Sequence, residues 1–595
     1  MFNKNIEALR EFNPELAESL LKTSLEKAQE IVSANQANSG EPIIAYKEHY
    51  LDDINTPFET AKSIVLKQSP ANLKRNDLII IYGMGLGYLF KRAFSESDSK
   101  IVIFEPYIEV LRFVLEYVDF SNELKQKRVR LFNSEDDFAK YIESTYIRND
   151  KIELIYNPSY ISFCANEIVK FGERLIKVCE SKNNDINTIK KQGKYWAYLT
   201  LYNALISTNS RPLSVLKGLF KDKNALILAA GPSLNDNIEQ LKNHRDDFVI
   251  FAVNKSFRFL VENSIIPDFV VIADSSISDT IDIINTMDKK PYLINTNQSD
   301  YRSYNKKDTE IFIYYLQNTL YAQLLNSKFP EVIDLYDIAG TSVSECYFSA
   351  VEMGFKNIVF AGLDLAMKDN VAYATGEAID ITSENQEVTI SKQKKSIVKV
   401  KSITGQDIYT RDDYKIFIDQ LSEIFSKDKE HSLYNISSFG AFIEGMTYKP
   451  LNEIPLEKNN SRENLAKIPE IRQNTKETWD KIYRFQMEFL RKTKSDLINF
   501  SSALKTLSEK SAKTNIGTPS TEISKLKDEE IKLMKALANH VIFSTLFQFE
   551  ILKYIEQNEN NKNNKNPVLC KEITNDISEQ LYRLNVWYNK WIKNP

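Results

Sequence analysis

The sequence predicts a multidomain α/β protein: along the chain, an N-terminal α/β domain, a central doubly wound Rossmann-like domain and an all-helical C-terminal domain. Three observations carry this. Short apolar runs rich in β-branched and aromatic residues recur between helical segments through the middle of the chain, the rhythm of strand–helix alternation. A shorter alternation precedes it, with glycines directly behind its first run. Towards the C-terminus these runs give way to apolar residues at three- and four-residue steps. The boundaries read 1–190, 191–452 and 453–595.

At 595 residues the chain is too long for one ordinary core, and length alone implies several domains. Its 43% hydrophobic and 27% charged residues are a globular balance. The formal net charge of −4, with no basic arm, argues against a general nucleic-acid or membrane-surface binder. Cys164, Cys179, Cys346 and Cys570 are scattered and form no metal-type pair, which suits free thiols in a reducing compartment. His49, His244, His431 and His540 lie equally far apart, so no metal site is expected. No apolar stretch reaches the roughly 18–20 residues that span a bilayer. The expectation is a cytoplasmic protein without a transmembrane segment.

The first region opens with MFNKNIEALREFNPELAESLLK, which reads as a helix. Leu78–Tyr82 is a continuous apolar run fitting a buried parallel strand, followed by Gly83, Gly85 and Gly87, a helix, and a second strand at Lys100–Phe104. Together these make one βαβ unit. Asn184–Leu205 reads as a helical bridge. In the central region the expected strands are Ala225–Ala229, Phe248–Val253, Phe269–Ala273, Tyr292–Asn295, Ile311–Tyr315 and Asn357–Phe360. Helices are expected at Leu234–Asn243, Lys255–Asn263 and Ser342–Met353. Residues 376–410 break the rhythm and read as an inserted loop with a small hairpin. Beyond 455, Trp479, Ile482, Phe485, Phe489, Leu497, Phe500, Leu504 and Leu507 mark one helix, with a skipped turn at Thr493. A second helix runs through Ile531, Met534, Leu537, Val541, Phe549 and Leu552. After the polar loop Gln557–Pro567, a last helix carries Leu581, Leu584, Trp587 and Trp591. The aromatic stripes read as core rather than as a ligand box.

The residues with chemistry cluster at the expected strand ends. A buried strand runs into Gly231, Pro232 and Ser233, where a helix begins. Open α/β sheets bind ligands at the carboxyl ends of their strands, and a helix start offers amides to phosphate oxygens. The same tripeptide also makes a sound structural turn, and both readings stand. The next strand ends in Asn254, able to point an amide into the same crevice. Later, Thr341 and Ser342 open a helix, and Gly362 precedes Asp364 after a strand. Hydroxyls at a helix start suit a phosphate or carboxylate, and an aspartate suits ribose hydroxyls.

The order AGPSL, VNKSF and GTSVSECYFSAVEMGFKNIVFAGLDLA resembles bacterial sialyltransferases that use CMP-activated nonulosonic acids. More broadly the chain resembles the motility-associated Maf flagellin glycosyltransferases, with YNISSFGAFIEGMTY resembling the end of their central domain. The resemblance covers most of the chain, and its specific motifs lie in the central domain. It implies a central domain of GT-A variant, sialyltransferase-like type. It further implies transfer of pseudaminic or legionaminic acid from its CMP donor to Ser or Thr hydroxyls of flagellin, in support of filament assembly and motility. By motif, the donor would meet Gly231, Pro232, Ser233, Asn254, Asp274, Thr341, Ser342 and Gly362. Catalytic roles would fall to Asp364, Tyr373 and Glu377, with Tyr373 helping the phosphate leave. The downstream histidine that serves as base in the sialyltransferases is missing, since none lies between His244 and His431. Asp274, Asp364, Glu377 and His431 are the candidate bases. Asp274-Ser275-Ser276 is not a two-aspartate metal signature, and a divalent metal is possible without being implied. The CMP-sugar is the one small-molecule partner implied.

Two rival readings remain. The chain could be a non-catalytic flagellin-binding assembly factor, or, since its central domain also resembles hydroxymethylpterin pyrophosphokinase-like proteins, an ATP-using enzyme. In the first region, Gly83, Gly85 and Gly87 with Glu105 form a cofactor-type fingerprint, the acid placed for a ribose; a retained but ligand-free fold reads equally well.

Overall fold

The computed structural model describes residues 1–67, 77–146, 151–275, 279–304, 309–317, 319–336, 338, 341–367, 374, 380–382, 387–390, 393–457, 460–513, 520–543, 547, 551, 577, 581 and 584. They divide into two compact units, Met1–Lys191 and, from Gln192 onward, the remainder of the described residues.

The first unit is built on a parallel sheet of β1 (Leu78–Tyr82), β2 (Lys100–Phe104), β3 (Val129–Phe132) and β4 (Ile152–Tyr156), in the order β3-β2-β1-β4. Every residue of β1 is buried, as a strand covered on both faces requires. Aromatic rings thicken the core, with Phe138 and Phe104 each 4.7 Å from Phe171 between ring centroids. The opening segment is two helices, Phe2–Arg10 and Pro14–Lys22, rather than one. Asn13 breaks it: its side chain caps the second helix at Leu16 N, and Pro14 fills the first helical position, where no amide is needed. Buried Asn5 ties the first helix down, donating to Leu115 O and Val118 O and accepting from Phe120 N. A three-stranded antiparallel sheet (Val32–Gln36, Pro42–Tyr46, His49–Tyr50) was not expected from the sequence. The expected bridge belongs to a much longer helix, Pro158–Ile206, kinked at Cys164.

The second unit holds a ten-stranded sheet: β5 (Ser210–Pro212), β6 (Asn224–Leu228), β7 (Val249–Val253), β8 (Phe269–Ile272), β9 (Tyr292–Thr296), β10 (Ile311–Leu316), β11 (Leu335–Tyr336), β12 (Asn357–Ala361), β13 (Ser432–Asn435) and β14 (Thr447–Tyr448). Its order is β11-β10-β9-β8-β7-β6-β12-β13-β14, with β5 beside β10, and its pairings are parallel. Alternate strand residues feed opposite faces. Ile227, Phe251, Val271 and Phe312 pack with Cys346, Ala350 and Met353 of the Ser342–Met353 helix. Leu226, Leu228, Ile250 and Val359 pack with Leu234, Ile238 and Leu241 of the Leu234–Asn243 helix. This is the doubly wound arrangement expected, and it puts the switch in strand order between β6 and β12, the place where such sheets bind ligands.

The break in rhythm after 376 contains a four-stranded antiparallel sheet (Asp380–Thr382, Glu387–Ile390, Gln393–Lys401, Asp407–Arg411), larger than the single hairpin expected. The Lys476–Ala512 helix seats its apolar stripe within this unit: buried Trp479 donates to Ser207 O, and Gln486 to the Tyr321 hydroxyl. Thr493, the apparent skipped turn, is fully buried, its hydroxyl satisfied by Phe489 O one turn back. The next helix, Ser520–Asn539, stops before Val541, so the longer stripe expected there is broken. His540 sits at the break, its Nδ1 within 3.3 Å of both the Ile542 and Phe543 amides. Phe549, Leu552, the Gln557–Pro567 run, Trp587 and Trp591 lie outside the described residues. Among the described residues no helix is long and apolar enough to cross a membrane.

Candidate functional site

The carboxyl ends of β6 and β12 lie side by side at the switch point. The Gly231 amide donates to Gly362 O at 2.8 Å, and a Cβ on Gly231 would stand 2.5 Å from that carbonyl and 2.6 Å from Asp364 Oδ2. Only glycine fits so close an approach. Asp364, 1% exposed, receives the Ser233 amide at 2.7 Å and the Ser233 hydroxyl at 2.5 Å. Ser437 Oγ is 2.9 Å from Ser233 Oγ, and Asn435, at the end of β13, holds both the Ser437 amide and the Leu363 carbonyl. On its far side Asp364 meets Gly440, where a Cβ would come within 2.8 Å of the Asp364 Cα. Gly231, buried Pro232, Ser233, Gly362 and Asp364 therefore form one knot. An internal carboxylate occupies the position at this helix start where the sequence reading put a phosphate, and the donors of Ser233 are engaged by it.

A second group lies along the same edge. Asn254 follows β7 and Asp274 follows β8. Ser256 links the end of β7 to that of β6 by donating to Leu228 O at 2.8 Å. Asp274 is exposed to solvent, yet surrounding protein raises its carboxyl above the usual range, a hydrogen bond from Asn254 opposing the shift. A group that water reaches while protein crowds it is on the wall of a crevice; the surface exposure defines its access and the crowding its basicity. Asn254 Oδ1 is buried with no hydrogen-bond partner among the described residues. Further along, Thr341 and Ser342 open the Ser342–Met353 helix through a capping box: Thr341 Oγ1 accepts from Ser344 N, and Ser344 Oγ accepts from Thr341 N. The first-turn amides of Ser342 and Val343 lack intrahelical acceptors, as any helix start does.

The sequence reading missed Glu345, one turn into this helix. It is 7% exposed, and burial pushes its carboxyl up to about 8, with Tyr314 opposing and Asp274 reinforcing the shift. A glutamate between Ser344 and Cys346, on the same side of the helix as Ser349 and Met353, was the available signal.

Tyr373 and Glu377 lie outside the described residues. Their neighbour Ala374 donates its amide to Ala230 O, beside the Gly231 turn. His431 immediately precedes β13, so it stands at the amino edge of the parallel sheet, opposite the crevice, engaged with Asp428 at 2.9 Å. His244 precedes β7 at that same edge. Among the described residues no cluster of three His, Cys, Asp or Glu side chains is placed to hold a metal.

The glycine turn of the first unit is filled from within. The Met84 amide donates to Glu105 Oε2 at 2.8 Å, the Gly85 amide to the Tyr160 hydroxyl at 3.3 Å, and the Leu86 amide to Asp52 Oδ1 at 3.0 Å. A Cβ on Gly83 would come within 2.7 Å of the Tyr160 ring. Glu105, expected on a ribose, is 0% exposed and also accepts from the Tyr160 hydroxyl. The glycines make room for the protein's own phenol and carboxyls, which favours the ligand-free reading. A small open pocket beside the turn is lined by Asp52, Asp53, Tyr88, Asn157 and Ser159 among others.

Comparison with known proteins adds three findings. The family model described as 6-hydroxymethylpterin diphosphokinase MptE-like matches residues 200–370, from before β5 to just past Asp364. A Treponema pallidum (strain Nichols) protein carrying the description "Uncharacterized protein" is 36% identical over 164 residues, 26% of this chain and 76% of that one. The solved structure of the MAf glycosyltransferase from Magnetospirillum magneticum AMB-1 aligns with 100% of this chain and 96% of its own, at a TM-score of 0.64 and 14% identity. The chain thus belongs to one family with the Treponema protein, and its fold is that of the Maf glycosyltransferase.

Proposed function

We propose that the chain is a glycosyltransferase that moves a nonulosonic acid, pseudaminic or legionaminic acid, from its CMP-activated donor to Ser or Thr hydroxyls of flagellin. The observation that carries the reading is the crevice edge of the central sheet. Beside the closed Ser233–Asp364 knot it offers an accessible, desolvated carboxyl on Asp274 and an unpartnered buried amide oxygen on Asn254. The full-length fold likeness supports the reaction class, and the order of the motifs supports the donor.

In this reading the nucleotide lies over Gly231 and Asn254, and its phosphate meets the hydroxyls and free amides at Thr341–Ser342. Oriented donors stabilise the charge that develops as the bond between the anomeric carbon and the phosphate oxygen breaks and CMP leaves with the bonding pair. The acceptor oxygen bonds to the anomeric carbon, and its proton passes to Asp274, whose raised basicity and access suit that task. Asp364 positions the Gly-Pro-Ser turn from below. Tyr373, assisting the leaving phosphate, and Glu377, a second acid, keep the roles the resemblance gives them. The cytoplasmic setting and the flagellin partner belong to the same proposal.

The test is transfer of sugar mass onto purified flagellin from CMP-pseudaminic or CMP-legionaminic acid, read by intact-protein mass. Wild type adds sugar; Asp274→Asn slows transfer by about 100-fold or more while CMP still binds. Unmodified flagellin with either donor refutes the reading. The match to the diphosphokinase-like family model favours one alternative, an ATP-using enzyme. In a thermal-shift panel of CMP, ATP and S-adenosylmethionine, the native ligand raises the melting temperature, so a shift with ATP alone supports the alternative.

A further inference from the structure

Glu345 has no place in the mechanism above, yet it is the acid set deepest beside the crevice. It projects from the first turn of the twelve-residue Ser342–Met353 helix, whose buried side packs on the sheet. Its Oε2 is buried without a hydrogen-bond partner among the described residues, and the residue is more than nine-tenths buried. Two groups on other elements act on it: Tyr314 from β10, and Asp274 beyond β8. On its own helix, Cys346 is the titratable neighbour. Neither Tyr314 nor Asp274 is a cation. The Tyr314 hydroxyl is near enough to affect the carboxyl but has no hydrogen-bond partner among the described residues, so it does not satisfy Oε2. The electrostatic reach to Asp274 puts the Glu345 carboxyl on the crevice side of the helix.

An ionised carboxylate here would be buried beside a second carboxylate, which is costly twice over. A protonated carboxyl carries one O–H donor, and such a donor next to a helix start is matched to an anion. We propose that Glu345, as a neutral acid, donates its O–H to a phosphate oxygen of the nucleotide bound in the central crevice. The inference rests on the reading of that crevice as the donor site. It adds a phosphate-specific contact that the Thr341–Ser342 motif does not include, and it makes donor binding weaken as the solution turns alkaline. The sign follows from burial, which holds Glu345 protonated up to about pH 8; above that it ionises, loses the proton it donates and repels the phosphate.

The experiment is calorimetric titration of the full chain with CMP and, separately, with cytidine, from about pH 7 to about pH 9.5, a range in which a phosphate monoester with its second pKa near 6 stays doubly ionised. Wild type, Glu345→Gln and Glu345→Ala are compared, each checked for folding by circular dichroism. Wild type should lose about tenfold in CMP affinity across this range, the loss expected when a required proton is removed one unit above its pKa. Glu345→Gln, which keeps a neutral donor, should bind CMP near the neutral-pH wild-type affinity with little pH dependence. Glu345→Ala should bind CMP about five- to tenfold more weakly, the range of one hydrogen bond to a charged group. Cytidine should bind all three alike. Wild-type CMP affinity in Glu345→Ala, or an undiminished pH slope in Glu345→Gln, overturns the inference and leaves the donor site standing. Equal losses for CMP and cytidine also overturn it, since the contact would not be to phosphate. No CMP binding by wild type at any pH overturns both.

Discussion

The two glycine turns of this chain follow the same plan and end differently. Each lies behind a fully buried parallel strand, next to the switch in strand order of its sheet, and each has its amides closed by a carboxyl from elsewhere in its own unit. At Gly83–Gly87 the closure is complete: Glu105, Tyr160 and Asp52 take successive amides, and the Tyr160 ring fills the groove. At Gly231 only the turn itself is closed. Along the same edge, Asn254 and Glu345 keep buried oxygens without partners among the described residues, and Asp274 is both crowded and accessible. Buried polar atoms are nearly always satisfied, so an edge with several unsatisfied ones is shaped for something the chain does not supply. The glycine pattern is shared by both turns; the unmet hydrogen-bonding capacity is what separates a structural turn from a binding edge.

Several perturbations would break or sharpen that contrast. Asp364→Ala should have the largest effect on stability, on the order of 3 kcal/mol, because it strips a buried amide and hydroxyl of their acceptor. Chemical denaturation would read this, and a loss under about 1 kcal/mol would mean the knot is incidental. Gly83→Ala should cost about 2 kcal/mol through the forced approach to Tyr160 and a φ of +86°, while leaving CMP affinity untouched. A loss of CMP binding in that variant, with the fold intact, would move the site to the first unit. The smallest effect is a pH dependence. Burial raises Asp52 and Glu105 to about 7 each, so both favour the folded state while protonated. The stability they contribute is present in full below their unfolded pKa values and is lost as pH rises towards 7. Glu105→Gln should flatten this slope by on the order of 1–2 kcal/mol between about pH 4 and pH 7, read by urea unfolding across that range.

The sequence made the parallel strands plain for a physical reason. A strand covered on both faces is apolar throughout, so LIIIY, ALIL and VIFAV stand out, and the helices between them follow from three- and four-residue steps. The antiparallel strand VSANQ is polar and largely exposed, and it gave no such signal. The opening helix pair was readable in Asn13-Pro14, a cap followed by a first-turn proline, although the charge pattern alone ran the two together. At the site, the glycines and Asp364 could be placed at strand ends, but not the direction of their hydrogen bonds; Ser233 turns inward to Asp364 because Ser437 and Asn435 close over it from β13, some 200 residues later. Glu345 escaped notice because a glutamate in an amphipathic helix usually faces water, and its burial depends on which side of the helix meets β8 and β10.

The most direct measurement is a crystal structure of the full chain with CMP bound. The nucleotide should lie at the carboxyl edge of the central sheet, its phosphate within hydrogen-bonding distance of the Ser342 amide and its ring beside Asn254. Clear density for CMP against the Gly83–Gly87 turn, with the central edge empty, would contradict the account.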